Sequence, residues 1–118
     1  MSDLFAERFA AVRQRFAAKL DARIDEIEAT VPELDREGSQ ETLARAHRRA
    51  HDLCGVGPTM GFVATGQAAR AIEQVLLAAI KAGRFLTGDE VARVRDGIAL
   101  LRSAAGAENP PAGPAVRP

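Results

Sequence analysis

Apolar residues recur at helical spacing along most of the chain. Between residues 3 and 31 they fall at Phe5, Phe9, Val12, Phe16, Leu20, Ile24, Ile27 and Val31. Every step is three or four residues, which makes one stripe along one helix, and Pro32 ends it. A second helix starts near Ser39, a good N-cap residue after Gly38, and its apolar face is Leu43, Ala46, Ala50 and Leu53. Pro58 clashes with the carbonyl of Cys54 in a regular helix, so this helix is expected to end or kink at residues 55 to 58. A third helix runs from about Phe62 to Ala82 through Phe62, Ala69, Ile72, Leu76 and Ala79 or Ile80, and Gly83 suits its C-terminus. Thr87 with Glu90 spells a capping box, and the fourth helix buries Val91, Val94, Ile98 and Leu101. Residues 104 to 118, AAGAENPPAGPAVRP, hold four of the six prolines and read as a disordered tail. The pattern predicts an all-α protein: an antiparallel up-down-up-down four-helix bundle over residues 1–103, followed by the tail 104–118.

Composition narrows the classes. A length of 118 residues suits one domain. Aromatic residues are 4% of the chain, without Trp or Tyr, so Ala and Leu dominate the core, as packed helices allow. Sixteen basic and sixteen acidic residues cancel, which leaves no overall field to attract nucleic acid. One cysteine excludes an internal disulfide and fits a reducing compartment. No run of about 18 apolar residues exists, so no membrane span is expected. Asp, Glu and Arg interrupt the N-terminal apolar residues, unlike a signal peptide. A cytoplasmic protein is expected, and a monomer, because four helices close a bundle within one chain.

The chemistry concentrates in AHRRAHDLCGVGPTMGF, residues 46–62, which holds both histidines of the chain. At about 100° per residue, the core face of the second helix centres about 110° from His51, which therefore stands at the border of core and water. His47 lies nearer the core edge. The neighbours of His51 on its own face are Ala44, Arg48 and Gly55. A glycine one turn past an exposed histidine either ends the helix early or gives another surface clearance to reach the imidazole. Glu73 is flanked at helical spacing by Ala69, Leu76, Leu77 and Gly66, so its carboxylate either reaches solvent beside the core edge or has a partner. An imidazole N–H of the second helix is such a partner, and that bond leaves the other ring nitrogen basic and outward. Such a nitrogen is a nucleophile. His47 and His51 also have the i, i+4 spacing of two metal ligands, with Cys54 or Glu73 as a third. The HExxH pattern is absent and Arg48 and Arg49 intervene, so no metal site is expected.

AHDLCGVGPTMGF resembles the signature of histidine-containing phosphotransfer domains, H-x-L-K-G with a second glycine ten residues after the histidine; here it reads His51, Asp52, Leu53, Cys54, Gly55 and then Gly61. ARAIEQVLLAAIKAGRF is similar to the next helix of that family, with its acidic or amide residue, Glu73, 22 positions after the histidine. The resemblance implies that His51 accepts a phosphoryl group from a receiver-domain aspartate or a kinase and passes it to a response-regulator receiver. It implies that Glu73 holds the ring, that Gly55 opens the path for the partner's aspartate, and that Gly61 belongs to the turn between helices. The implied partners are a receiver domain and a hybrid or chemotaxis-type kinase. The chain then needs no cofactor of its own, because the receiver brings the magnesium ion and a lysine. No GxxxxGK[ST] motif suggests a nucleotide site.

The chain departs from the family at Cys54, where a lysine usually faces the phosphoryl oxygens. Arg48, beside His51 on the wheel, and Arg70, one turn before Glu73, are the cations that can compensate. The expected docking surface is the exposed face of the second helix, with Ala44, His47, Arg48, Cys54 and Gly55, and its flank on the third. Its basic rim suits an acidic partner. The competing expectation is an interaction module of the same fold that regulates a receiver or kinase by binding, without phosphorylation.

Overall fold

In a computed structural model, which describes residues 2–109, the chain forms α1 (Ser2–Thr30), α2 (Gln40–Thr59), α3 (Val63–Ala82) and α4 (Gly88–Glu108), with a 3-10 turn over Val31–Glu33. Cross-helix contacts fix the directions. Arg13 meets Met60 while Glu26 meets Arg49, so α1 and α2 run antiparallel. His51 meets Glu73, Thr65 meets Glu108, and Arg102 meets Asp25 and Glu28, which sets each remaining neighbour pair antiparallel too. The result is the expected up-down-up-down bundle. Its core is aliphatic: Leu20, Ile24 and Ile27 from α1, Leu43, Ala46, Ala50 and Leu53 from α2, Ala69, Ile72, Leu76 and Ala79 from α3, and Val94, Ile98 and Leu101 from α4. Phe16 packs edge-on against Phe62 with centroids 5.3 Å apart. None of the helices is long and apolar enough among the described residues to cross a membrane.

Pro32 does end α1, in the 3-10 turn that follows Thr30. With 29 residues, α1 is about 13 Å longer than the 20-residue α2 and α3 at 1.5 Å per residue. Arg13 is tied to the Met60 carbonyl at the end of α2, so the turns before it project past the bundle. That is why Phe5, Phe9 and Val12 are exposed although they continue the stripe that Phe16 and Leu20 bury.

Three expectations at helix ends need correction or sharpening. Ser39 occupies the N-cap position of α2, yet its hydroxyl makes no capping bond and is buried without a partner among the described residues. α2, expected to end or kink around residues 55 to 58, holds Pro58 inside its last turn and ends at Thr59. The Phe62 N–H donates to Gly57 O (2.8 Å) and the Gly61 N–H to Pro58 O (3.0 Å), with Gly61 in the left-handed region at φ 86°. This closure satisfies the last carbonyls of α2 and needs glycine at position 61. The boundary at residue 103 lies too early. α4 runs to Glu108, Ala105 is buried, and the Glu108 carboxylate accepts from the N–H groups of Ala64 (2.7 Å) and Thr65 (2.8 Å) at the start of α3. Burial pushes the Glu108 carboxyl up, but the bonds from the Thr65 hydroxyl and these N–H groups outweigh it and hold it below the ordinary range. The expected tail beyond residue 109 lies outside the described residues.

The capping box of α4 forms as expected: Thr87 Oγ1 accepts from the Glu90 N–H, and the Glu90 carboxylate accepts from the Thr87 N–H. Arg84 donates to both carboxylate oxygens of Glu90.

Bare backbone sets the distance between α2 and α3. A Cβ on Gly66 falls 2.7 Å from Pro58 Cδ and 2.8 Å from its Cγ, and a Cβ on Gly57 falls 3.1 Å from the Phe62 carbonyl oxygen. The two helices cross in contact at these glycines, and a proline ring has little freedom to give way.

Gly66→Ala is therefore expected to lower unfolding stability by about 1–3 kcal/mol, read by urea denaturation, as overpacking does; an unchanged midpoint contradicts the close crossing. The Arg84 bonds hold the Glu90 carboxyl at about 2 against an ordinary 4.5. The folded-state value is depressed, so this stabilisation is complete above pH 4.5 and is lost as pH falls toward 2. In Glu90→Gln the acid loss of stability over that window should be shallower than in wild type.

Candidate functional site

The crossing at Gly57 and Gly66 sets the register of the antiparallel pair α2 and α3. Running back along α2 and forward along α3 from that contact brings residue 51 opposite residue 73. His51 Nδ1 lies 2.6 Å from Glu73 Oε2, the distance of a strong charge-assisted hydrogen bond. A carboxylate only accepts, so the imidazole donates from Nδ1. In the neutral ring Nε2 is then left bare, while the side-chain contact to Glu73 is made by Nδ1. The His51 side chain is 65% exposed while that of Glu73 is 15% exposed. The anchor is thus held at the core edge and the ring stands in solvent, which is the arrangement expected for an outward nucleophilic nitrogen.

His47 is part of the same cluster. It precedes His51 by one turn, its side chain is 22% exposed, and its Nε2 lies 3.4 Å from the same Glu73 Oε2. The two imidazoles are nearly parallel, at 13°, with centroids 6.0 Å apart. His47 is not at the histidine position of the motif, yet the structure brings it to the same carboxylate.

Gly55 is exposed within α2, and a Cβ added there meets no atom within 4 Å. Helix ending does not explain this glycine, because α2 runs on for another turn. The clearance it leaves faces open solvent. Cys54 is half-buried against the core edge and offers no charge. Ala44 is half-buried, whereas Arg48 and Arg70 are exposed. Neither arginine joins an ion pair among the described residues, so both side chains are free to meet an anion. Arg49 instead pairs with Glu26 on α1 at 2.8 Å, which takes it out of the site. Among the described residues no group of three or more His, Cys, Asp or Glu is arranged to hold a metal ion.

Two contributors escaped the sequence. Gly57 and Gly66 look like helix breakers in a linear reading, and only the crossing shows that they govern the distance from which Glu73 reaches His51. Small residues on both of two neighbouring helices are the signal that points to such a contact. The sharing of Glu73 by two histidines was also hidden, because i, i+4 spacing does not say which nitrogen faces the next helix.

The site is an exposed histidine held by a carboxylate from the adjoining helix of a four-helix bundle. The family model of the Hpt domain matches residues 11–104, and the chain belongs to that family. Domains of this family carry phosphoryl groups in two-component signalling, where they meet receiver domains and kinases. No curated protein and no solved structure matches the chain.

Proposed function

We propose that the chain is a phosphorelay carrier in which His51 accepts a phosphoryl group from a receiver-domain aspartate or a kinase and returns it to a response-regulator receiver. The observation that supports this reading most is the 2.6 Å contact of His51 Nδ1 with Glu73 on a ring that is 65% exposed. In the accepting step the Nε2 lone pair attacks phosphorus. The Nε2–P bond forms, the P–O bond to the aspartyl group breaks, and its electron pair returns to that carboxylate. The phosphorylated ring keeps its proton on Nδ1 and is positive. Glu73 is the counter-charge already in place, so no group has to move to meet the charge that develops. Donation to a second receiver is the reverse of these bond changes.

Arg48 and Arg70 supply the charge that Cys54 cannot, in company with the magnesium ion and lysine of the receiver. The chain contributes no cofactor of its own to this step. Ala44, His47, Arg48, Cys54 and Gly55 form the face that receives the partner, in the cytoplasm where receiver and kinase work. Gly55 lets the partner's aspartate approach from one turn beyond the imidazole.

Incubation with a receiver phosphorylated on its aspartate should give an acid-labile, base-stable label on wild type and none on His51→Gln. Label that persists in His51→Gln and disappears in His47→Gln moves the acceptor to the other histidine; no label with receivers or kinases overturns the carrier reading. Gly55→Leu should fold with unchanged or higher melting temperature, because glycine inside a helix is worse by about 1 kcal/mol. Its transfer from the receiver should slow by about tenfold or more, as displacement of reacting groups does. Equal transfer by Gly55→Leu contradicts the clearance role.

A further inference from the structure

His47 is a half-buried titratable side chain that the phosphoryl step leaves unused. Its Nε2 is inaccessible to solvent and has no hydrogen-bond partner among the described residues. A buried ring nitrogen left unpaired is unfavourable, because it has given up water without a replacement. The nearest acceptor is Glu73 Oε2 at 3.4 Å, the oxygen that already holds His51. Were Nε2 the bare nitrogen, its lone pair would sit 3.4 Å from a negatively charged oxygen and the contact would be unfavourable. With the proton on Nε2 the contact is attractive, and a small rotation of the imidazole or the carboxylate aligns it as a hydrogen bond. A carboxylate oxygen has room for two donors.

We infer that His47 is a positioning residue: it donates from Nε2 to Glu73 Oε2 and so fixes the carboxylate that orients and neutralises His51. This deepens the phosphorelay reading and rests on it. The contacts form one chain, from His47 Nε2–H to Glu73 Oε2 to His51 Nδ1–H. On its own helix Glu73 lies beside Ala69, Leu76 and Leu77, and Arg70 one turn before it makes no ion pair with it among the described residues. Without His47 the carboxylate can turn toward solvent and take the His51 ring with it. The near-parallel stacking of the two rings follows from their sharing one acceptor from successive turns of α2.

Phosphoramidate tests this with the full chain and no partner protein. Its P–N bond breaks as the Nε2–P bond forms, and ammonia leaves. Labelling of His51 in His47→Leu should slow by about tenfold, the range in which supporting groups act. His47→Gln, whose amide N–H can donate to Glu73, should recover to within about twofold of wild type. In a Glu73→Ala background, His47→Leu should have no further effect, because the two act as one unit. Equal rates in His47→Leu and His47→Gln, or an undiminished His47 effect without Glu73, overturns the inference while leaving the carrier reading intact. The ring nitrogens of His51 give a readout that needs no phosphoryl group. Their ¹⁵N resonances should move in His47→Leu and return in His47→Gln. Resonances that stay fixed in both variants refute the link, whereas a wild-type chain that takes no label refutes only the acceptor role.

Discussion

One hydrogen bond organises this molecule: the 2.6 Å contact between His51 Nδ1 and Glu73 Oε2. It decides which ring nitrogen carries the proton and which faces water, and it keeps a carboxylate beside the ring. It exists because α2 and α3 approach one another closely enough for a short side chain to span them. That approach comes from two absent side chains, since a Cβ on Gly66 falls inside the Pro58 ring's contact distance and one on Gly57 presses the Phe62 carbonyl. The glycines after the histidines are therefore chiefly about distance and turning. Gly57 and Gly66 bring the helices together, Gly61 turns the chain at φ 86°, and Gly55 leaves room outside.

The rest of the bundle holds that crossing in place. Arg13 of α1 donates to the Met60 carbonyl at 2.7 Å and lies over the Phe62 ring, which pins the α2–α3 turn to α1. Glu108 at the end of α4 binds the first N–H groups of α3, so the helix that carries Glu73 is fixed at its start by the last turn of its neighbour. Negative charge at that helix N-terminus is favourable in its own right. The site thus combines a carboxylate anchored at the core edge with an imidazole on an open face. Where the family usually places a lysine, Cys54 packs against the core edge, so the positive charge of this face comes from the arginines Arg48 and Arg70.

Much of this was legible in the sequence. Three- and four-residue spacing of apolar side chains marked all four helices, Pro32 and the Thr87–Glu90 pair marked their ends, and the unpartnered Glu73 pointed to an imidazole across the helix gap. What was not legible depends on tertiary contact. Pro58 breaks an isolated helix, yet α2 continues to Thr59 because Gly61 and Phe62 satisfy the last carbonyls beyond it. AAGAE reads as the start of the proline-rich tail, yet α4 keeps it, because its alanines favour helix and Glu108 gains three donors on α3. Phe5, Phe9 and Val12 share the periodicity of the α1 core, but periodicity does not count how many turns have neighbours. Ser39 has the right residue type and position for a cap, and its backbone geometry, φ −89° and ψ 12°, does not aim the hydroxyl at the helix.

The orientation of His51 is tested most directly by where the phosphoryl group attaches to its ring. Phosphorus–nitrogen couplings in NMR of the labelled, ¹⁵N-histidine protein distinguish the two ring nitrogens. Attachment at Nε2, with a proton retained on Nδ1 toward Glu73, is the expected result. Attachment at Nδ1 contradicts it, because that nitrogen cannot hold both the carboxylate of Glu73 and a phosphoryl group.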